Sequence, residues 1–332
     1  MLGRGLRPAR GAAVTTGAPV RWGFLGAGFV ASRGVAPAVH EADGAVLQVV
    51  AARDLDRARS LAPVRAVGSY AAVCAADDVD VVYLSLPNDD HLPWVLTALE
   101  AGKHVLCEKP LGLGAAQVAE MTEAARHSGR LLVEAAWNRW HPRTRRVEAL
   151  LDGATGPVDV HAWFTFPGVP AGNYRLDPAR GGGALLDVGC YAVAAALTAL
   201  GDDVRVTDVG RHVGPSGVDL TTTATLVSPR GSARITGSFE RPESQGWTVT
   251  APGLEVELPH PAFTSWREAS KLRVVQDGVE RHESFAACDA YRLMVEAVSR
   301  VTTGADAWVL PLSTSLAVAR TVDDVARAAG AS

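Results

Sequence analysis

From Val20 to about residue 135 the chain repeats one unit: a short apolar run, a turn, then a helix-forming segment. The apolar runs lie at 20–25 (VRWGFL), 45–52 (AVLQVVAA), 64–67, 78–86 (DVDVVYLSL), 104–109 (HVLCEK) and 130–135. Helical segments are expected at 29–40, 56–62, 91–101 and 114–128. Strands that alternate with helices at this spacing pair in parallel through right-handed crossovers. Strands that are apolar throughout belong in a sheet covered on both faces. The pattern predicts an α/β fold whose first part, residues 20–140, is a doubly wound Rossmann domain of the kind that binds dinucleotides.

The rhythm changes near Trp137. One helix is expected at 142–151. Extended, partly alternating segments follow: VDVHAWFTF, VRVTDVGRHV, DLTTTATLV, SARITGSFE, GWTVTAP, LEVEL and LRVVQDG. Gly, Pro, Ser and Asp separate them, which predicts a large, mostly antiparallel open-faced sheet. Residues 141–332 are therefore read as an α+β domain for substrate binding and oligomerisation, ending in a helix at 313–329. Helices at 184–200 and 290–303 are expected to cover one face of the sheet. An uncovered face is usually buried by something, so the sequence predicts a homo-oligomer, dimer or tetramer, built on it. Residues 1–19 are arginine-bearing and free of acid, and are expected to be a disordered tail.

Charge and cysteine usage narrow the function. A net charge of −4 and a pI of about 6.1 give no reason to expect nucleic acid or an anionic membrane as partner. No apolar run in this reading reaches the roughly 20 residues of a membrane helix. The cysteines at 74, 107, 190 and 288 form no C-x-x-C pair, which argues against zinc and disulfides and fits a reducing cytoplasm. No metal is expected.

GFLGAGFVA at 23–31 joins the first strand to the first helix. Gly26, Gly28 and Ala31 match G-x-G-x-x-A: a tight turn, a close approach to a pyrophosphate, and close helix–strand packing. Phe29 and Val30 open the helix whose N–H groups meet the phosphate charge. At the end of the second strand Ala52 stands where an acid would meet the ribose of NAD, and Arg53 follows with a fork of donors suited to a 2′-phosphate. NADP(H) is therefore favoured over NAD(H), with Asp54 as the residue that argues for NAD after a one-residue shift.

Three further segments carry a resemblance: LSLPNDDH at 84–91, AGKHVLCEKPL at 101–111 and GGGALLDVGCY at 181–191. In order and spacing the chain resembles the glucose-fructose oxidoreductase and inositol dehydrogenase family, Gfo/Idh/MocA, from Val20 onward. The resemblance implies that Lys109 sits by the nicotinamide and substrate, that Pro110 fixes its turn, and that Asp187 belongs to the second-domain motif. Many relatives carry His four residues after that aspartate. Tyr191 here resembles the subgroup of glucose-fructose oxidoreductase, dimeric dihydrodiol dehydrogenase, NADP-xylose dehydrogenases and sugar-nucleotide 3-ketoreductases, which tends to use NADP.

The chemistry can be argued from the residues alone. Reducing a carbonyl needs hydride at carbon and a proton at oxygen. A phenol, with pKa near 10, holds that proton at neutral pH. An ammonium such as Lys109 is expected to lower the phenol pKa and to stabilise a developing alkoxide. Tyr191 is read as acid/base, Lys109 as its electrostatic partner, and Asp187 as orienting Lys109 or bonding a substrate hydroxyl. Pro87, Asn88, His91 and Glu108 are further cofactor-binding candidates. Trp137, Arg139, Trp163 and Tyr174 are candidates for the substrate cleft. The function expected is an NAD(P)-dependent oxidoreductase acting on a sugar, a sugar derivative or a dihydrodiol. The alternatives are an NAD-dependent polyol dehydrogenase of the inositol type and a non-catalytic dinucleotide-binding regulator.

Overall fold

A computed structural model describes residues 17–330. The expected tail falls, over residues 1–16, outside the described residues.

Six strands, β1 (Val20–Leu25), β2 (Ala45–Ala51), β3 (Arg65–Val67), β4 (Val81–Leu84), β5 (His104–Cys107) and β6 (Leu132–Glu134), form one parallel sheet in the order β3-β2-β1-β4-β5-β6. Their side chains are buried on both faces, as the apolar runs require. The crossovers contain α1 (Ala36–Glu41), which follows a wide helical turn at Ala31–Val35, then α2 (Leu55–Arg59), α3 (Tyr70–Cys74), α4 (His91–Glu100) and α5 (Ala115–Ser128). Strand order reverses between β1 and β4, and ligands bind at the carboxyl ends of strands at such a switch point.

After α6 (Pro142–Asp152) come β7 (Val158–Thr165), α7 (Cys190–Leu200), β8 (Arg205–Val213), β9 (Asp219–Ser228), β10 (Gly231–Ser238), β11 (Ser244–Ala251), β12 (Leu254–Leu258), β13 (Ser270–Gln276) and β14 (Val279–Phe285). These strands form one eight-stranded sheet, antiparallel except for the β7–β10 pair. On β7 the inward positions Val158, Val160 and Ala162 meet the α7 side of the sheet. Asp159, His161 and Trp163 alternate to the other side, where Arg234 and Thr248 are the cross-strand neighbours of His161.

Two features differ from the sequence-based expectation. The helix expected at 290–303 forms as α8 (Ala290–Thr302), but it packs on the first sheet. Met294, Val295 and Val298 join Trp22, Phe24 and Val39 in one core, and the Trp22 indole donates to Ser299 Oγ at 3.2 Å. The chain thus returns to its first domain before α9 (Leu312–Gly330), which packs on α5, α7 and β8. In addition, the helical run Pro178–Leu200 is long and apolar enough to span a membrane, although the sequence reading found no such stretch. It is a core helix: 78% of its apolar window is buried inside the protein, where each buried Leu or Val contributes about 1.5–3 kcal/mol.

Candidate active site

The switch point opens into a groove of about 700 Å³. Its floor is the turn at Gly26, where φ is +97° and a Cβ would lie 2.5 Å from the Ser85 carbonyl oxygen, so only glycine fits there. Gly28, Phe29 and Val30 continue the floor, and Pro87 and Asn88 form part of the wall. Asn88 donates to the Gly181 carbonyl at 3.0 Å, joining this wall to the loop before α7. The volume, the close-approach turn and the helix start fit a dinucleotide.

At the end of the groove beside β2, Arg53 and Asp54 have different surroundings. The Asp54 carboxylate caps α2, accepting from the N–H groups of Asp56 and Arg57 at 2.9 and 3.3 Å. Arg53 lines the groove, as does Arg57, whose guanidinium donates to the Ala27 carbonyl at 2.8 Å. Arg57 and Tyr70, another groove residue, were missed from the sequence. The only available signal was the position of Arg57 on the first helix after β2.

A second cavity, of about 400 Å³, adjoins the groove and shares Phe29, Val30, Glu108, Lys109, Asn173 and Arg175 with it. Lys109 follows β5, and the Lys109–Pro110 peptide is cis. Its ammonium donates to the Asp187 carbonyl at 2.8 Å and to Asp187 Oδ1 at 3.1 Å. It also lies 5.2 Å from the centre of the Tyr191 ring. Asp187 and Tyr191 sit four residues apart around the start of α7, which places both on one side of the helix. The first sheet thus supplies the ammonium, and the helix on the second sheet supplies the carboxylate and phenol.

Arg175 completes the cluster. Its Nε donates to Asp187 Oδ2 at 2.8 Å, so one carboxylate holds two cations. The sequence reading chose its neighbour Tyr174, which lines the groove, and passed over Arg175. Gly183 allows the loop its shape: φ is +120°, and a Cβ there would lie 2.1 Å from Asp219 Oδ1.

The electrostatics follow from burial and pairing. Burial opposes the Lys109 charge, but Asp187 and then Tyr191 outweigh it and hold the ammonium above the ordinary lysine value. Burial would raise the Asp187 carboxyl, but Lys109 and Arg175 bring it below its usual range. The Tyr191 phenol departs from expectation. Burial raises its pKa above the ordinary value, and the opposing pull of Lys109 does not reverse this. The phenol is thus held protonated, and its hydroxyl has no hydrogen-bond partner among the described residues. Burial pushes Glu108 up to about 7, although Tyr83 donates to its Oε1 at 2.7 Å.

The remaining candidates divide. Trp137 lines the second cavity and stacks on Tyr291, with ring centres 4.5 Å apart. Three others are corrected. His91 is fully buried; its ring nitrogens lie 3.0 Å from the carbonyls of Pro110 and Leu86, so it braces two loops and does not reach the groove. Trp163 points to the open face of the second sheet. Its indole lies over Gly246 and donates to Ser244 Oγ at 2.8 Å. Arg139 pairs with Glu148 at 2.8 Å, behind Lys109 and outside the second cavity. Phe164, Phe166 and Tyr291 line the cavity instead. Among the described residues no group of His, Cys, Asp and Glu is placed to hold a metal ion.

Two family models match the chain: the oxidoreductase family with an NAD-binding Rossmann fold over residues 20–135, and the Gfo/Idh/MocA C-terminal domain over residues 144–256. The chain is 36% identical over 313 residues to D-xylose 1-dehydrogenase (NADP(+)) 2 of Haloferax volcanii, covering 92% of this chain and 95% of that one. It is 36% identical over 232 residues to trans-1,2-dihydrobenzene-1,2-diol dehydrogenase of Mus musculus, covering 66% and 67%. Its fold is similar to that of the 3-ketoreductase KijD10 from Actinomadura kijaniata, solved in complex with NADP and TDP-benzene. There the TM-score is 0.86 at 29% identity, with 93% of this chain and 97% of that one covered. With both halves matched in order on one continuous chain, the protein belongs to the Gfo/Idh/MocA oxidoreductase family.

Proposed function

We propose that this oxidoreductase interconverts a carbonyl and a secondary alcohol on a sugar, a sugar derivative or a dihydrodiol, using NADP(H) in preference to NAD(H). The observation that carries this reading is the meeting of Lys109, from the loop after β5, and Tyr191, from α7, where the groove joins the second cavity.

A bound reduced nicotinamide supplies hydride. The protein's residues do the rest. Gly26, Gly28 and Val30 receive the dinucleotide backbone, Pro87, Asn88 and Glu108 flank its nicotinamide half, and Arg53 meets the 2′-phosphate. Tyr191 gives its proton to the substrate oxygen in reduction and takes one from the alcohol in oxidation. Lys109 stabilises negative charge on that oxygen and then on the phenolate. Asp187 fixes Lys109 with Arg175 as counterweight. The aromatic wall of Trp137, Phe164 and Phe166 packs on the apolar face of the substrate and excludes water. The NADP preference draws support from the Asp54 cap and from the named NADP users among the relatives. A cytoplasmic homo-oligomer, joined through the open face of the second sheet and contacting neither nucleic acid nor membrane, is part of the same proposal. Light scattering checks the assembly.

Absorbance at 340 nm with NADPH or NADP against aldoses, ketoses and vicinal diols tests the activity. Tight cofactor binding with no turnover on any of them overturns it in favour of a cofactor sensor. Arg53→Ala should weaken NADP(H) by roughly tenfold or more, the worth of a charged hydrogen bond, and leave NAD(H) nearly unchanged. Equal losses for both cofactors, read by protein fluorescence, would remove the 2′-phosphate assignment.

A further inference from the structure

Lys109 and Tyr191 form a partition. In front of them lies the 400 Å³ cavity. Behind them lies a small inner pocket of about 30 Å³, whose walls include Lys109, Tyr191, Glu134, Asn138, Cys190 and Ser315. A water needs about 10–15 Å³ of such space, so the pocket can hold one, and the walls provide the several polar partners an internal water needs.

Two groups in the pocket are not explained by the chemistry at the front. Glu134, on β6, is buried, and its Oε1 accepts from the Leu111 N–H at 3.0 Å. Burial raises this carboxyl above the usual carboxylate range, while the Ser315 hydroxyl, the Leu111 N–H, Lys109 and Arg139 pull the other way. Ser315, on α9, lies close enough to the same carboxyl to lower its pKa, yet its buried hydroxyl makes no well-formed hydrogen bond. A buried hydroxyl left without a good partner costs about 1–3 kcal/mol, and a water in the pocket, within reach of both groups, removes the cost. Two other wall residues, Arg139 and Thr314, are partly exposed.

Tyr191 gives up its proton in every reductive turnover. A dinucleotide in the groove and a substrate in the cavity cover the phenol from the front. We propose that Glu134 and one internal water form a rear proton path that reloads Tyr191. This proposal rests on the function proposed above. In reduction the phenolic proton goes to the substrate oxygen and leaves a phenolate. The inner water gives a proton to the phenolate and takes one from the Glu134 carboxyl. The resulting carboxylate regains a proton from solvent past Arg139 and Thr314. Oxidation runs each transfer in reverse, and no further reactant is needed. The titratable groups around Glu134 are Cys107, Glu108 and Lys109 from β5 and its loop, Arg139 from the turn after β6, and Cys190 from α7.

Glu134→Gln keeps an acceptor for the Leu111 N–H but carries no acidic proton. In rapid mixing with NADPH and substrate, its first turnover should match wild type within roughly twofold, because Tyr191 starts protonated. Later turnovers should slow by about tenfold or more, given the size of proton-transfer effects. Ser315→Val, which fills the pocket with methyl groups, should give the same pattern. Equal slowing of first and later turnovers, or no change in either variant, overturns the proposal. A second readout needs no turnover. Infrared difference spectra of the cofactor-free protein across pH should contain a protonated-carboxyl C=O band that Glu134→Gln removes; no loss of band also overturns it. A wild-type protein that never consumes NADPH removes the proposed function first, and the infrared result still reports whether Glu134 holds a proton.

Discussion

Lys109→Met should reduce kcat by about 10³-fold or more while leaving cofactor affinity within a few-fold of wild type. Removing one preorganised donor from a developing oxyanion costs on the order of 10²–10³ in rate. Here the lost group also stabilises the phenolate, so the effect belongs at or above the upper end. The fold should survive. Breaking a buried ion pair costs up to about 3–5 kcal/mol when it strands a charge, but Asp187 retains Arg175 at 2.8 Å. The dinucleotide groove is built mainly by Gly26 to Val30, Arg53 and Asn88, which the substitution does not touch. Steady-state rates beside a fluorescence titration with NADPH check both halves of this expectation. Retention of most of the rate would remove Lys109 from the chemistry.

Tyr191→Phe should lower kcat by about 10²–10⁴, the range for loss of a general acid, with little change in Tm. The small stability effect follows from the packing. The ring lies 5.4 Å from Phe164 and 5.7 Å from Phe263, and phenylalanine preserves those contacts. The deleted hydroxyl has no hydrogen-bond partner among the described residues, so its loss strands no donor or acceptor. A large drop in Tm together with the rate would show instead that the hydroxyl supports the fold.

Much of this arrangement is legible in the sequence because it depends on local rules. The apolar runs from Val20 to Glu134 could form only buried parallel strands, and the glycine turn then had one place to be, at the switch point. Lys109, Asp187 and Tyr191 could be chosen because they stand inside specific motifs. The misses share a physical cause, since each depends on long-range packing. Trp163 and Phe164 are adjacent, and a strand sends neighbours to opposite faces; no local signal shows which face meets the cofactor domain. Arg139 was left without a partner in the sequence reading because Glu148 becomes its neighbour only once α6 folds back. The Tyr191 pKa moved against expectation because burial depends on the whole core and outweighs one nearby ammonium. The strand β14 went unseen because VERHESF is a charged sheet edge, the composition that discourages edge-to-edge association. The attachment of α8 to the first domain was likewise hidden: its apolar stripe fits either sheet until Trp22 and Ser299 meet.

The central claim is that an ammonium from one domain and a phenol from the other act together on a single oxygen. A double-mutant cycle tests it most directly: kcat for wild type, Lys109→Met, Tyr191→Phe and the double variant, on one substrate with saturating NADPH. Groups that work as a unit are strongly non-additive, so the double variant should be about as slow as the slower single variant. If the two losses multiply, the residues act independently, and the shared-oxygen account is wrong.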